Sequence, residues 1–257
     1  MSDSPLNPPT PTPPRWAADF ARATPQAPLM APFMAYLLLL LLDDVLPDAY
    51  RHYGMILRAG LTLWVVRSFR AYFPPLGRAH WLPAIAVGAF AAWGWVAGQH
   101  LFDSLGLGRV LSLGSLFSSH PTLFKDAGEP FNPLIRVGSG AVFWAHVVVK
   151  IGVASTVVPI VEELFWRGLL LRGFVNWDGF ERVPLGTFTW VSFLGTSLLS
   201  VMEHPANWGV SILCWFVYNG LFYATRSLKC LILTHGITNL VLYAYVVWKG
   251  GEAWRFW

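Results

Sequence analysis

Apolar runs recur along most of this chain, and that repetition constrains its fold more than any single motif. They lie at about Leu29–Leu46, Tyr53–Val66, Trp81–Gly98, Gly138–Val158, Pro159–Val175, Leu185–Val201, Trp208–Tyr223 and Leu228–Trp248. A bilayer core about 30 Å thick is crossed by roughly 20 mainly apolar helical residues. Inside it, only helices and closed barrels satisfy every backbone polar group. The expectation is an all-α polytopic membrane bundle of about seven or eight transmembrane helices. The number turns on Pro159, since proline removes a backbone donor and disfavours helix just before it. Composition agrees: 55% of the 257 residues are hydrophobic and only 12% charged, whereas a soluble domain is about 25% charged. A soluble enzyme and a disordered chain are both excluded.

Residues 1–28 hold eight of the nineteen prolines (Pro5, Pro8, Pro9, Pro11, Pro13, Pro14, Pro25 and Pro28). That density favours solvated, extended backbone, so 1–28 reads as a disordered tail and 29–257 as one transmembrane domain. The tail lacks the charged start and short apolar core of a signal peptide. Between Gln99 and Val137, repeated Gly and Pro mark a loop outside the bilayer. Arg67, Arg70 and Arg78 sit between the second and third runs, while Asp43, Asp44 and Asp48 follow the first. The positive-inside rule then places the N-terminus in the cytoplasm. The net charge of +4 forms no basic stripe, so nucleic acid is not expected as a partner. Cys214 and Cys230 both fall in apolar runs without metal-ligand spacing, and no disulfide is expected.

Ionisable groups inside apolar runs cost at least about 2.5 kcal/mol each, which makes them functional candidates. The first group is Glu162-Glu163-x-x-x-Arg167. On a helix, Glu163 and Arg167 lie about 40° apart and can pair, while Glu162 points about 100° away and stays free to accept a proton. The second group is Glu203-His204-Pro205, closing another run. His204 suits a general base or its partner, whereas Glu203 points elsewhere on a helix and reads as interfacial. The third is His235-x-x-x-Asn239 in the last run, two polar side chains on one face with Gly236 leaving room for close approach. Each group alone also fits a plainer account, as interfacial charge or as polar glue between helices, a role open to Asn219 too. His146, Lys150 and Arg58 are basic residues that can snorkel, with Lys150 the reserve candidate.

Together, a carboxylate, two histidines and an amide can supply a base for water and donors for an oxyanion. No Ser or Cys stands in a nucleophile motif such as Gly-x-Ser-x-Gly, so water is the expected nucleophile. In this order, on late apolar segments spanning about residues 138–248, the three motifs resemble the CAAX prenyl protease and bacteriocin-processing (CPBP, abortive-infection) family of intramembrane endopeptidases. The resemblance implies that Glu162 and His204 activate water, that Glu163 and Arg167 support the site, and that His235 and Asn239 serve the oxyanion. Where the family's second motif begins with Phe, this chain has Ser200.

The stretch Val158–Arg167 and the closing Trp254-Arg255-Phe256-Trp257 also resemble the bacterial CAAX-protease-related proteins of exosortase and exopolysaccharide loci. That implies a bacterial inner membrane location, exosortase or exopolysaccharide components as partners, and a membrane-anchored protein or peptide substrate that need not be prenylated. No cofactor is expected. The alternatives are a zinc protease with Glu162, His204 and His235 as ligands, and a non-catalytic membrane immunity or scaffold protein.

Overall fold

Eight helices of nine or more residues carry the described part of the chain: α1 (Arg15–Ala23), α2 (Ala27–Leu39), α3 (Arg51–Phe69), α4 (Trp81–Ser104), α5 (Ala141–Gly173), α6 (Trp190–Leu199), α7 (Trp208–Thr225) and α8 (Leu228–Lys249). The computed structural model describes residues 12–41, 45–107, 132–204 and 207–257. Expectations that fall on Asp43, Asp44, Pro205 and most of the Gln99–Val137 stretch lie outside the described residues. Among the described residues there is no strand, and the chain is an all-α membrane helix bundle. Helices α4, α5 and α8 are each long and apolar enough to cross a bilayer. Their outward faces expose Leu82, Trp93, Val148 and Trp248, which suits a lipid surround.

Pro159 does not divide its helix. α5 runs on through it for 33 residues, so the two apolar runs at 138–175 form one element. The proline lacks the N–H that would bond the Ser155 carbonyl one turn back, and α8 lies against this stretch. A Cβ placed on Gly236 would stand 2.5 Å from the Ser155 oxygen, and Asn239 donates to the neighbouring Ala154 carbonyl at 2.7 Å. On the other side of α8, a Cβ on Gly88 of α4 would meet the Thr234 oxygen at 2.7 Å. Thr238 donates to the Gly88 carbonyl at 3.1 Å. Two glycines thus let α8 sit between α4 and α5 at backbone contact.

Just after Glu163 the helix widens into a π-helical turn, Leu164–Leu170. Such turns are uncommon and recur at functional sites. α2 closes this side of the bundle by stacking Phe33 on Phe165 at 4.5 Å between ring centres.

Four boundaries differ from the sequence expectation. The stretch 1–28 is not all extended tail, because α1 occupies Arg15–Ala23. That segment is free of proline, and its Trp16 and Phe20, four residues apart, both pack against Phe69 of α3. α2 ends at Leu39 after 13 residues, short of the Asp43-Asp44 pair. α4 continues to Ser104, past Gly98, where the side chain of Gln99 donates to Asp103 at 3.0 Å one turn on. α6 starts only at Trp190, because Pro184 and Gly186 break the preceding residues and Thr189 with Ser192 forms a capping box.

Candidate active site

The two adjacent glutamates of α5 face different environments. Glu163 is fully buried, and both its oxygens accept from Arg167 Nη1, at 3.0 and 3.2 Å. The guanidinium lies 3.8 Å above the Trp215 ring and donates from Nε to Asn219 Oδ1 at 3.1 Å. Asn219 in turn donates to the hydroxyls of Thr196 and Ser197, both at 3.0 Å. A buried charge pair is held by the donors and acceptors around it; here α5, α6 and α7 all contribute, while Arg167 Nη2 meets no hydrogen-bond partner among the described residues. Asn219 is therefore interhelical glue centred on an arginine.

Glu162, about 100° further round the helix, opens on a cavity of about 910 Å³. His204, His235 and Asn239 line the same cavity. His235 bridges the two glutamates: its Nδ1 is 3.0 Å from Glu163 Oε1 and its Nε2 is 3.7 Å from Glu162 Oε2. The Tyr218 ring stands 5.6 Å from the imidazole, and its hydroxyl donates to Thr238 at 2.6 Å. Asn239 spends one N–H on Ala154 and retains the other. His204 packs edge-on against Trp95, 4.9 Å between ring centres. Thus Glu162, His204, His235 and Asn239 share the cavity, while Glu163 and Arg167 sit behind its wall. The protein group that approaches Glu162 is His235, whereas His204 reaches the cavity from the end of α6.

Ser200, where the resembled motif has Phe, is buried and hydrogen-bonded. Its hydroxyl lies 3.0 Å from that of Ser211 on α7 and donates to the Ser197 carbonyl at 2.7 Å. The small side chain lets the end of α6 close against α7. Lys150 also lines the cavity, its ammonium over the rings of Tyr243 and Trp257 at 5.5 and 5.9 Å. His146 is buried in the bundle. Cys214 and Cys230 are free thiols.

Glu203 does not point away from the site: it lines the cavity and accepts from the Trp166 indole N–H at 2.7 Å. Regular-helix arithmetic misplaces it because Ser200–Met202 is a 3₁₀ turn, after which the chain leaves the helix. The available signal was a second carboxylate closing an apolar run.

Among the described residues, no group of three or more His, Cys, Asp or Glu side chains is arranged to hold a metal ion. Glu162 and His235 approach each other, but His204 does not complete a ligand set with them.

Residues 144–241 match a family model described as type II CAAX prenyl endopeptidase, Rce1-like. The matched stretch runs from the middle of α5's first turns to just past Asn239, and so contains all three motifs. No curated protein and no solved structure gives a significant match.

Proposed function

We propose, on the match of residues 144–241 to the type II CAAX prenyl endopeptidase model, that this chain is a membrane peptidase of that kind and hydrolyses its substrate with water activated by Glu162. The observation that carries this is the division between the glutamates: Glu163 is neutralised behind the wall, while Glu162 faces the cavity with His204, His235 and Asn239. Water attacks the peptide carbonyl and gives its proton to Glu162, with His204 sharing that task. The oxyanion that forms meets the second N–H of Asn239 and the Nε2–H of a His235 ring that carries both its protons, the Nδ1–H being given to Glu163. The C–N bond then breaks, and the proton passes from Glu162 to the departing amine. Arg167 and Glu163 hold His235 and the helix in register without touching the reacting atoms.

The substrate is a membrane-associated protein or peptide that enters from the bilayer and need not carry a lipid. The setting is a bacterial inner membrane with a cytoplasmic N-terminus, supported by Arg67, Arg70 and Arg78 in or beside the α3–α4 connection. Exosortase or exopolysaccharide components are the proposed partners, on the resemblance of residues 158–167 and 254–257.

The test is cleavage of membrane-anchored peptides by purified, detergent-solubilised protein. Glu162→Gln is expected to lower the rate by at least about 10³-fold, within the range that general acid–base groups contribute, with the melting temperature held. Chelator is expected to leave the wild-type rate intact. Full activity in Glu162→Gln overturns the mechanism. Loss on chelation with zinc copurifying assigns Glu162, His204 and His235 as ligands instead.

A further inference from the structure

Glu162 and Glu203 are the two carboxylates that line the cavity among the described residues. The mechanism uses the first and not the second. Glu203 is nonetheless held in place. Its Oε1 accepts from Trp166, four residues after Glu162 and so about one turn along the same helix. Trp166 is itself seated edge-on against Trp215, 4.6 Å between ring centres. Glu203 Oε2 is buried and meets no hydrogen-bond partner in the protein.

A carboxylate taken out of water either takes up a proton or has its charge balanced by a partner, and its oxygens still call for hydrogen-bond partners. The protein's cations near the cavity make their close contacts elsewhere, although the Arg167 charge also acts on Glu203. Arg167 is bonded to Glu163. Lys150 lies twelve residues before Glu162 on α5, about 18 Å along the axis, over Tyr243 and Trp257. Arg58 lies over the Tyr36 ring, and Arg255 pairs with Asp103 at 2.8 Å. A substrate backbone N–H would satisfy the oxygen but not its charge; an ammonium or guanidinium does both.

We infer that Glu203 is a specificity-determining carboxylate, binding a Lys or Arg side chain of the substrate within a few residues of the cleaved bond. The inference rests on the peptidase reading above. It defines the substrate class as membrane-associated segments bearing a basic residue beside the scissile bond, where the long side chain can reach past Glu162 to the Trp166-held carboxylate.

The test uses membrane-anchored peptides that are identical except for Lys, Gln or Glu at one position, scanned across the cleavage site. A hydrogen bond to a charged group is worth about 1.5–3 kcal/mol, so the wild type is expected to favour Lys over Gln by about tenfold or more in kcat/KM at one position. Glu203→Gln is expected to bring that ratio near one, and Glu203→Lys to turn the preference toward the Glu peptide. Trp166→Phe, which removes the indole N–H that orients the carboxylate, is expected to weaken the preference without reversing it. Because each result is a ratio within one variant, partial misfolding does not mimic it. Absence of a Lys preference in the wild type, or its persistence in Glu203→Gln, overturns the inference. So does an equal loss on all three peptides with an altered pH profile, which makes Glu203 a proton-transfer group. Full activity in Glu162→Gln would sink the water-activation mechanism alone, and the Lys-to-Gln ratio could still be read from that variant.

Discussion

Glu163 and His235, 72 residues apart in sequence, are joined at 3.0 Å between Oε1 and Nδ1. An ionised carboxylate only accepts, so His235 donates from Nδ1 in this contact and turns Nε2 toward Glu162. The motif's second glutamate therefore works through two partners at once, fixing Arg167 below and the imidazole above. Glu163→Gln leaves Arg167 charged and unpaired in the bundle interior, and the expected loss of stability is about 3–5 kcal/mol. Replacing both members, Glu163→Leu with Arg167→Met, is expected to recover most of that stability because neither charge remains buried. Activity is expected to stay lost in both, since His235 is no longer oriented. Thermal melting in detergent alongside peptide cleavage checks this, and a double variant with wild-type activity would refute the positioning role.

Close approach of α8 to α5 and α4 depends on two missing side chains. A Cβ at Gly236 would stand 2.5 Å from the Ser155 carbonyl oxygen, and one at Gly88 would stand 2.7 Å from that of Thr234. Backbone atoms cannot turn aside, so Gly236→Ala and Gly88→Ala are each expected to cost about 1–3 kcal/mol as the helices are pushed apart. Gly60 in the middle of α3 has nothing within 4 Å of such a Cβ. Gly60→Ala is expected to stabilise by about 0.5–1 kcal/mol through helix propensity alone. Melting temperatures of the three variants decide the matter, and a neutral Gly236→Ala would mean that α8 sits further from α5.

Much of the bundle was legible because apolar runs and the 3.6-residue repeat are local properties. The separation of Glu162 from Glu163 and the pairing of Glu163 with Arg167 follow from helical angles, and the structure has both. Legibility failed where local geometry departs from the regular helix. Pro159 reads as a break, yet the bundle holds one helix together through it. Glu203 reads as pointing away from the site until a 3₁₀ turn brings it round to the cavity. Trp16 and Phe20 are hidden by the prolines on either side, though their spacing of four residues is itself a helical signal. Nothing in the spacing shows that His235 reaches Glu163, because that contact is set by the glycine packing of α8 rather than by either motif.

Pro159 gives a further expectation. Pro159→Ala restores an N–H that can bond the Ser155 carbonyl and relieves an interior proline penalty of about 3 kcal/mol. The protein is expected to be at least as stable, while peptide cleavage falls as the new bond to the Ser155 carbonyl shifts Glu162, three residues after Pro159, relative to His235. Melting and cleavage measured together test it, and a variant both less stable and fully active would contradict the account.

Outside the spans, Asp48 ties the start of α3 to the segment that leads into α5. It accepts from Arg136 Nε at 2.7 Å and lies 2.9 Å from Arg51 Nε. The hydrogen bond from Arg136 holds the Asp48 carboxyl below its ordinary value, with the charges of both arginines adding to that effect. A group whose folded pKa is depressed stabilises the fold above its unfolded value of about 3.9, and that contribution disappears as pH falls through the folded pKa. The melting temperature of the wild type is therefore expected to exceed that of Asp48→Asn by a small, constant amount from neutral pH down to about 5. The gap then closes below about pH 4 as the carboxyl takes up its proton. Because Arg136 is exposed, salt is expected to narrow the gap at neutral pH by screening. Melting curves of the two proteins across pH, at low and high salt, check both trends. A gap that widened on acidification would rule out Asp48 as the ionised partner of Arg136.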